Sequence, residues 1–341
     1  MQRSILHIIP RFIIGGAERL ILDYTRQRDK HKVDVAVASV RGAGELLGQF
    51  DCPTVTRDVL GFVKQWRPDI VHTHMLSSDL AGHIIKRRDP RIAWISTQHN
   101  VEYHASWPRQ WLWPRILRRA DAVIAVSRAV EGFCRSVWDV PQERLRLIPN
   151  GIALSEWLAV PAEGATVGAL RLATVGRLET QKGHDVLFRA LGALVDEVWT
   201  LDVFGDGRLR QSLGKLAHLC GIADRVRFRG VANNLAAEYA TVDVVVQPSR
   251  WEGRSLVVME AMAAGRCLVA SVPAAAELVE HEKTGLVVPA VDVHELAHAL
   301  RRLLLDRPLI ARLGNAARDQ AREHFGMDAW VAAIDALYAS V

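Results

Sequence analysis

The stretch Gln247-Pro-Ser-Arg-Trp-Glu252-Gly-Arg-Ser255-Leu256-Val257-Val-Met-Glu260-Ala-Met-Ala-Ala-Gly265 decides how the rest of the chain is read. The valine-rich run before it, Val242 to Val246, suits a buried strand, and Pro248 and Ser249 stop that strand before a helix starts near Ser255. Glu252 then falls in a strand-to-helix loop. Glu260 falls inside a helix made otherwise of Leu, Val, Met, Ala and Gly, where an unpaired carboxylate would cost on the order of several kcal/mol of desolvation. It therefore demands a partner. Loops at the carboxyl ends of strands are where open α/β sheets bind ligands, and the exposed amides of the next helix suit an anion. The stretch predicts a ligand that carries both hydroxyls and phosphate.

Working outward, strands alternate with helices along the whole chain. Ser4–Ile9, Val33–Val40, Asp69–Thr73, Ala93–Thr97, Ala120–Val126 and Arg144–Ile148 read as strands in the first half. Leu170–Val175, Trp199–Phe204, Val226–Arg229, Cys267–Val272 and Gly285–Val288 follow in the second. Such alternation predicts α/β architecture with parallel sheets covered on both faces. At 341 residues two domains are expected, and the Pro149-Asn150-Gly151 turn followed by the Ala-, Gly- and Pro-rich stretch 159–168 marks the boundary.

Composition is that of an ordered globular protein, 50% hydrophobic and 24% charged, and the formal charge of +5 fits an anionic partner without choosing among phosphorylated substrate, acidic lipid and nucleic acid. Cys52, Cys134, Cys220 and Cys267 form no CxxC or CxxH pair, which suits a reducing compartment. The apolar patch Ile5–Ile9 is cut by Pro10 and Arg11, and no segment supplies about 18 uninterrupted apolar residues. The expectation is a soluble, cytoplasmic protein that at most rests on the inner face of the cell membrane.

Several local features bear on chemistry. Gly15-Gly16 between the first strand and helix would let a ligand approach the backbone, or simply make a tight turn. His72 and His74 share a strand face, but no third ligand stands at metal spacing, so zinc is set aside and no metal is expected. His99 closes its strand at the ligand-binding edge, where a neutral imidazole could hydrogen-bond a sugar hydroxyl. Arg177 and Lys182 flank a strand-to-helix turn and could converge on a diphosphate; a solvated charged loop is the alternative. Gly205-Asp206-Gly207 is followed by Leu209 where a dinucleotide fingerprint needs its third glycine, which argues against an oxidoreductase. The segment 106–119 contains Trp107, Trp111, Trp113, Arg115, Arg118 and Arg119. Interleaved indoles and cations suit a lipid headgroup layer, or else a helix that buries Trp and solvates Arg. It matches no nucleic-acid module.

These residues, taken in order, form a pattern: Gly15-Gly16-Ala17-Glu18, His99, Ser127, Pro149-Asn150-Gly151, Val175-Gly176-Arg177-Leu178 with Lys182-Gly183, Gly205-Asp206-Gly207, and the EX7E spacing of Glu252 and Glu260 before Glu-Ala-Met-Ala-Ala-Gly. The chain resembles the retaining glycosyltransferases of family 4, whose two facing Rossmann-like domains with a cleft between them make the GT-B fold. The resemblance implies an acceptor-binding domain over 1–152, a nucleotide-sugar-binding domain over 153–324, and a terminal helix, 325–341, crossing back to the first. It implies that Glu260 holds the ribose hydroxyls of a nucleotide-sugar donor, that Arg177 and Lys182 neutralise its diphosphate with amides near Gly15 and Gly16 and around Ser255, Leu256 and Val257, and that Glu252 faces the donor sugar. It implies as well that His99 touches that sugar from the first domain, that His99 and Glu252 are the catalytic pair, and that Arg229 and Arg254 line the donor side. No cofactor or metal is then required, because fixed cations and helix-end amides offset the leaving-group charge.

The resemblance further implies transfer with retained anomeric configuration to a saccharide or lipid-linked saccharide acceptor, as in bacterial surface polysaccharide or glycolipid assembly. A nucleotide-sugar epimerase or hydrolase of the same fold, or a non-catalytic binding subunit, are the alternatives. The sequence departs from the usual family pattern at Ala274-Ala275-Ala276, Cys267, Arg254 and Ser255.

Overall fold

The computed structural model describes residues 2–101, 107–161 and 168–341, with the backbone alone over 107–110. The chain divides into two compact units, Met1–Gly151 with Met327–Val341, and Ile152–Gly326. Most of the Ala-, Gly- and Pro-rich stretch at the expected boundary lies outside the described residues.

The first unit is built on β1 (Arg3–Ile9), β2 (Val33–Ser39), β3 (Thr54–Val55), β4 (Ile70–His74), β5 (Ala93–Gln98), β6 (Ala122–Ala125) and β7 (Leu145–Leu147). Every pairing is parallel, and the order across the sheet is β3-β2-β1-β4-β5-β6-β7. The short β3 is the one strand of this sheet that the sequence pattern does not reveal, because two residues carry no periodicity. Sheet-facing residues such as Ile5, Val35, Ile70 and Ile124 form a buried cluster. The terminal helix Met327–Ser340 joins it through Trp330, Ile334, Leu337 and Tyr338. That spacing puts the four side chains on one helical face, and each such burial stabilises the unit by roughly 1.5–3 kcal/mol.

The second unit repeats the plan with β8 (Leu170–Val175), β9 (Trp199–Phe204), β10 (Val226–Gly230), β11 (Val244–Gln247), β12 (Cys267–Ser271) and β13 (Leu286–Val288), all parallel in the order β10-β9-β8-β11-β12-β13. One face packs under Leu187, Leu191, Leu300 and Leu303, the other under Val258, Met259, Met262 and Ala317. Burial on both faces explains why these strands read as near-continuous apolar runs.

In each sheet the strand order reverses once, between β1 and β4 in the first and between β8 and β11 in the second. The chains leaving the carboxyl ends of such neighbours depart to opposite sides and leave a crevice, the preferred ligand position in open α/β sheets.

Candidate functional site

In the second unit the crevice lies between the loops that follow β8 and β11. Gly176 opens the first loop at φ 148°, and the Lys182 side chain runs across it so closely that a Cβ there would sit 3.1 Å from its methylenes. Lys182 Nζ reaches Glu252 Oε1 at 2.6 Å, and Ser249 Oγ donates to the same oxygen at 2.7 Å. The two charged side chains are only 15% and 8% exposed, so the pair is largely withdrawn from solvent. Around it the loops are stitched together. Arg250 N donates to Gln181 O at 2.7 Å, Gln181 Nε2 donates to Trp251 O at 2.9 Å, and the Arg250 guanidinium forks onto both Asp185 oxygens at 2.8 Å. That fork holds the Asp185 carboxyl below its ordinary range. Gly183, at φ 67°, lies against Pro248, whose carbonyl oxygen would be 2.0 Å from an added Cβ.

The second loop leads into the helix Leu256–Ala263, with Ser255 at its N-cap. The opening amides of a helix have no intrahelical acceptor. Ser255 Oγ is buried and, among the described residues, has no hydrogen-bond partner, an arrangement that costs about 1–3 kcal/mol unless a ligand completes it. Leu256 and Val257 are half-buried beside it, and so is Glu260 one turn further on. Glu260 acts electrostatically on the Tyr239 hydroxyl, whose pKa is raised first by burial and then by that carboxylate. Arg254 is half-buried with its guanidinium 5.7 Å from the Phe325 ring centre; burial lowers its pKa and Glu277 opposes the shift. Arg177 projects into solvent. Arg229 is also exposed, and pairs with Glu238 at 3.4 Å and Asp202 at 3.8 Å.

In the first unit, Gly15 caps the helix Gly16–Gln27 in an extended conformation, φ −154°, that any residue can adopt. Glycine serves there by leaving room, since a Cβ would come within 2.5 Å of a Glu18 carboxylate oxygen. Gly16 is exposed at the helix start.

His99 follows β5 and is half-buried at its end. Its Nε2 lies 3.0 Å from His74 Nδ1, and His74 Nε2 lies 3.0 Å from His7 Nδ1. The Tyr338 hydroxyl bridges His7 Nε2 at 3.3 Å and His72 Nδ1 at 2.6 Å, and His72 Nε2 ends the chain on Thr97 Oγ1 at 2.6 Å. Parallel register makes this possible, because His7 stands beside His72 in the β1–β4 pair and His74 beside Thr97 in the β4–β5 pair. Sequence spacing offers no third histidine beside His72 and His74, yet packing supplies His7, with ligand atoms of all three within 4.8 Å of one another. All six ring nitrogens of that trio are already engaged in hydrogen bonds, so the cluster is a satisfied polar network rather than a vacant donor set. Burial keeps the rings neutral: His7 is pushed down to about 3, with Arg28 adding to the effect, His99 to about 4, and His72 and His74 well below their ordinary value. Met75, directly after His74, is held at φ 66°, ψ 160°, a backbone region that non-glycine residues avoid and that recurs at functional sites.

The Trp/Arg segment divides by burial. In the helix Trp107–Leu117, Trp113 is 7% exposed with its indole N–H directed at buried Asp79 across 3.4 Å, so it is a core residue and not a headgroup contact. Trp111 and Leu112 are exposed at 56% and 40%. Arg115 stacks on Trp111 at 3.9 Å, while Arg118 and Arg119 are exposed, Arg118 pairing with Asp139. The Trp107 side chain lies outside the described residues.

Family comparisons match both units. The family described as glycosyl transferases group 1 matches residues 169–306, and that described as Glycosyltransferase Family 4 matches residues 14–156. A lipopolysaccharide core biosynthesis mannosyltransferase of Rhizobium leguminosarum, LpcC, is 31% identical over 308 residues, 84% of this chain and 83% of its own. The chain belongs to glycosyltransferase family 4. A GDP-mannose-dependent phosphatidylinositol monomannoside mannosyltransferase of Mycobacterium tuberculosis is 33% identical over 226 residues, 60% of this chain, and the match spans 59% of that relative's length. Among solved structures, HepE of Anabaena in complex with UDP-glucose superposes with a TM-score of 0.88 at 21% identity over 100% of both chains. The fold is accordingly GT-B.

For this family 4 chain, the sequence pattern places Lys182 and Glu252 each in a strand-to-helix loop but gives no sign that they pair. It also misses Gln181, Ser249, Arg250 and Asp185, which hold those loops together. His7 and Tyr338 are missed for a different reason, being separated by 331 positions in the chain.

Proposed function

We propose that this protein transfers a hexosyl group from a nucleoside-diphosphate sugar to a saccharide or glycolipid acceptor, with retention of anomeric configuration. The observation that carries the reading furthest is the N-terminus of the helix Leu256–Ala263, where the opening amides have no intrahelical acceptor and the buried Ser255 Oγ, three residues after the Glu252 that pairs with Lys182, has no partner among the described residues. Such a place accepts a phosphate without rearrangement. Glu260 serves the ribose hydroxyls, Arg177 and Lys182 the diphosphate, and Glu252, fixed by Lys182 and Ser249, a sugar hydroxyl. Arg254 and the exposed Arg229 add positive potential on the same unit. In the first unit His99 offers a ring nitrogen to a saccharide hydroxyl, and Gly15 and Gly16 leave the amides of their helix open to an anion. Fixed cations and helix amides offset the charge of the leaving diphosphate, so turnover is expected to survive chelation of divalent metal.

Mannosyltransferase relatives that act on a phosphatidylinositol mannoside or on lipopolysaccharide core support a hexose donor and a glycolipid acceptor. Incubation with GDP-mannose, UDP-glucose and UDP-N-acetylglucosamine, each with lipid-linked acceptors, followed by proton NMR of the first product, tests the reading. An α-linked product is expected from these α-linked donors. A β-linked product defeats the retaining assignment, and free sugar released without an acceptor product points to a hydrolase instead. Glu260→Ala is expected to abolish the thermal stabilisation given by the nucleoside diphosphate; unaltered stabilisation overturns its assignment.

The exposed Trp111–Leu112 pair with Arg115, Arg118 and Arg119 beside it supports reversible attachment to an anionic membrane. Among the described residues no helix is long and apolar enough to cross one. Flotation with phosphatidylglycerol vesicles is expected to fall on Trp111→Ala; equal flotation removes this part of the proposal.

A further inference from the structure

The Lys182–Glu252 pair ends a short hydrogen-bonded series whose direction is fixed by chemistry. Glu252 Oε1 receives Lys182 Nζ at 2.6 Å, and a carboxylate beside an ammonium can only accept. Ser249 Oγ, 2.7 Å from the same oxygen, therefore directs its single proton there. What remains to Ser249 is a lone pair, and it accepts from Gln247 Nε2 at 3.2 Å. The Gln247 amide is thereby oriented as well, since its carbonyl in that place would set two acceptors against each other. Its Oε1 is turned away, buried, and without a hydrogen-bond partner among the described residues. Gln247 ends β11 at 1% exposure, two positions after Val245, on the sheet face covered by the helix Leu256–Ala263. Ser271, at the end of β12, holds the Ser249 backbone by donating to its carbonyl oxygen at 2.6 Å.

We propose that Gln247 is a positioning residue for the transferred sugar: acting through Ser249, it fixes the Glu252 carboxylate with Oε1 engaged and Oε2 left to accept from a sugar hydroxyl. Oε2 has no hydrogen bond among the described residues. A carboxylate held by one donor still turns about its last bond, because that torsion is broad. Two donors converge on Oε1 here, Lys182 from the loop after β8 and Ser249 from the loop after β11, and together they remove that freedom. A hydroxyl proton also rotates to suit its surroundings; the Gln247 N–H on the Ser249 lone pair leaves the proton aimed at Glu252. Packing gives no reason for an amide at this place, since an apolar side chain of the same length would leave no bare carbonyl in a layer of valine and methionine. An atom that only accepts selects a sugar position that carries a hydroxyl or an amide N–H, and disfavours one that carries a carboxylate or a deoxy carbon.

The inference rests on the reading of Glu252 as a sugar contact, but its first test needs no ligand. In 1H–15N spectra of the wild type the Gln247 side-chain amide, assigned by its loss in Gln247→Met, is expected to shift in Ser249→Ala. An unmoved amide overturns the proposal by itself. Gln247→Met is nearly the same length and removes both the donor and the bare carbonyl, so the melting temperature is expected to stay within about 2 °C of the wild type. Calorimetric binding then separates positioning from folding. GDP and UDP are expected to bind the variant as they bind the wild type. GDP-mannose or UDP-glucose, whichever the wild type takes, is expected to bind about fivefold more weakly, the contribution of one neutral hydrogen bond, with kcat falling alongside. Equal loss for the nucleoside diphosphate and its sugar, or no loss for either, overturns the proposal. Placed on Ser249→Ala, Gln247→Met is expected to add nothing; additive losses would mean that Gln247 does not act through Ser249. Wild-type protein that binds none of these nucleotides defeats the glycosyltransferase reading and the positioning role with it, while the amide shift still stands as evidence of the Gln247–Ser249 link.

Discussion

The crevice loops of the two units are held by opposite means. In the second unit the loops after β8 and β11 are joined by ions, Lys182 to Glu252 and Arg250 to Asp185, with backbone bonds between. In the first, neutral imidazoles and a phenol are packed between strands and a helix, without a formal charge in the chain from Thr97 to His99. Ion pairs suit a place that must receive a charged ligand, because a fixed cation is wanted there and the loops lie at the sheet edge. A neutral network suits a buried place, where each charge would cost more than its hydrogen bonds return. The same kind of crevice, at a reversal of strand order, is thus equipped twice with different chemistry.

Acid separates the two units most sharply. His7, His72, His74 and His99 all have native pKa values depressed below 6.5, two of them to about 3 and about 4. Below pH 6.5 the unfolded chain therefore binds protons that the native first unit refuses, and stability falls as pH drops toward 4. Each such proton steepens the loss by about 1.4 kcal/mol per pH unit. The second unit has His184, at about 4, as the corresponding group. Hydrogen exchange between pH 7 and 5 is expected to rise in the first unit well before the second. Simultaneous loss of protection in both would mean that the buried histidines do not govern the acid response.

Breaking the Lys182–Glu252 pair is next in size. Lys182→Ala leaves a carboxylate that is 8% exposed with Ser249 as its remaining partner, and removal of one member of a buried pair costs about 3–5 kcal/mol. Urea unfolding is expected to register most of that, with Glu252→Gln in the same chain recovering a large part. Additive losses in the double variant would show that the two side chains are not coupled. Arg177→Ala, in contrast, removes an exposed cation and should leave stability within about 0.5 kcal/mol. It should weaken nucleoside-diphosphate binding by about 10- to 100-fold, the worth of a charged hydrogen bond. The smallest effect is expected for Arg250→Ala. Its partner Asp185 is 39% exposed, so solvent screening leaves about 0.5–1 kcal/mol, read as a modest fall in melting temperature and a raised KM for the donor. A collapse of the fold on that change would mark the loop stitching as more than local.

Legibility in the sequence follows the same division. The loops after β8 and β11 could be placed because each lies within a few residues of a strand end, and strands buried on both faces announce themselves as apolar runs. Glu260 could be singled out because a carboxylate on an apolar helix contradicts its surroundings. What the pattern could not reveal was pairing across loops 70 positions apart, such as Lys182 with Glu252. It also could not separate Trp111 from Trp113, which stand two positions apart in one tryptophan-rich helix, one exposed and one buried against Asp79. Composition suits both residues to a lipid surface; the rotation of the helix against its neighbours decides which one is exposed.

By itself the sequence determined the elements and their class: strand and helix alternating through the chain, glycines where loops must cross closely, and the ordered motifs of a family 4 glycosyltransferase. Those are local properties, written in the periodicity and conformational limits of short segments. Tertiary structure alone decided the histidine chain. His7, His72, His74, His99 and Tyr338 are ordinary residues in five separate places, and they become one network because parallel register sets β1 against β4 and β4 against β5 while the last helix packs over them. Register and packing are satisfied by the whole sheet at once, so no stretch of sequence holds that information on its own.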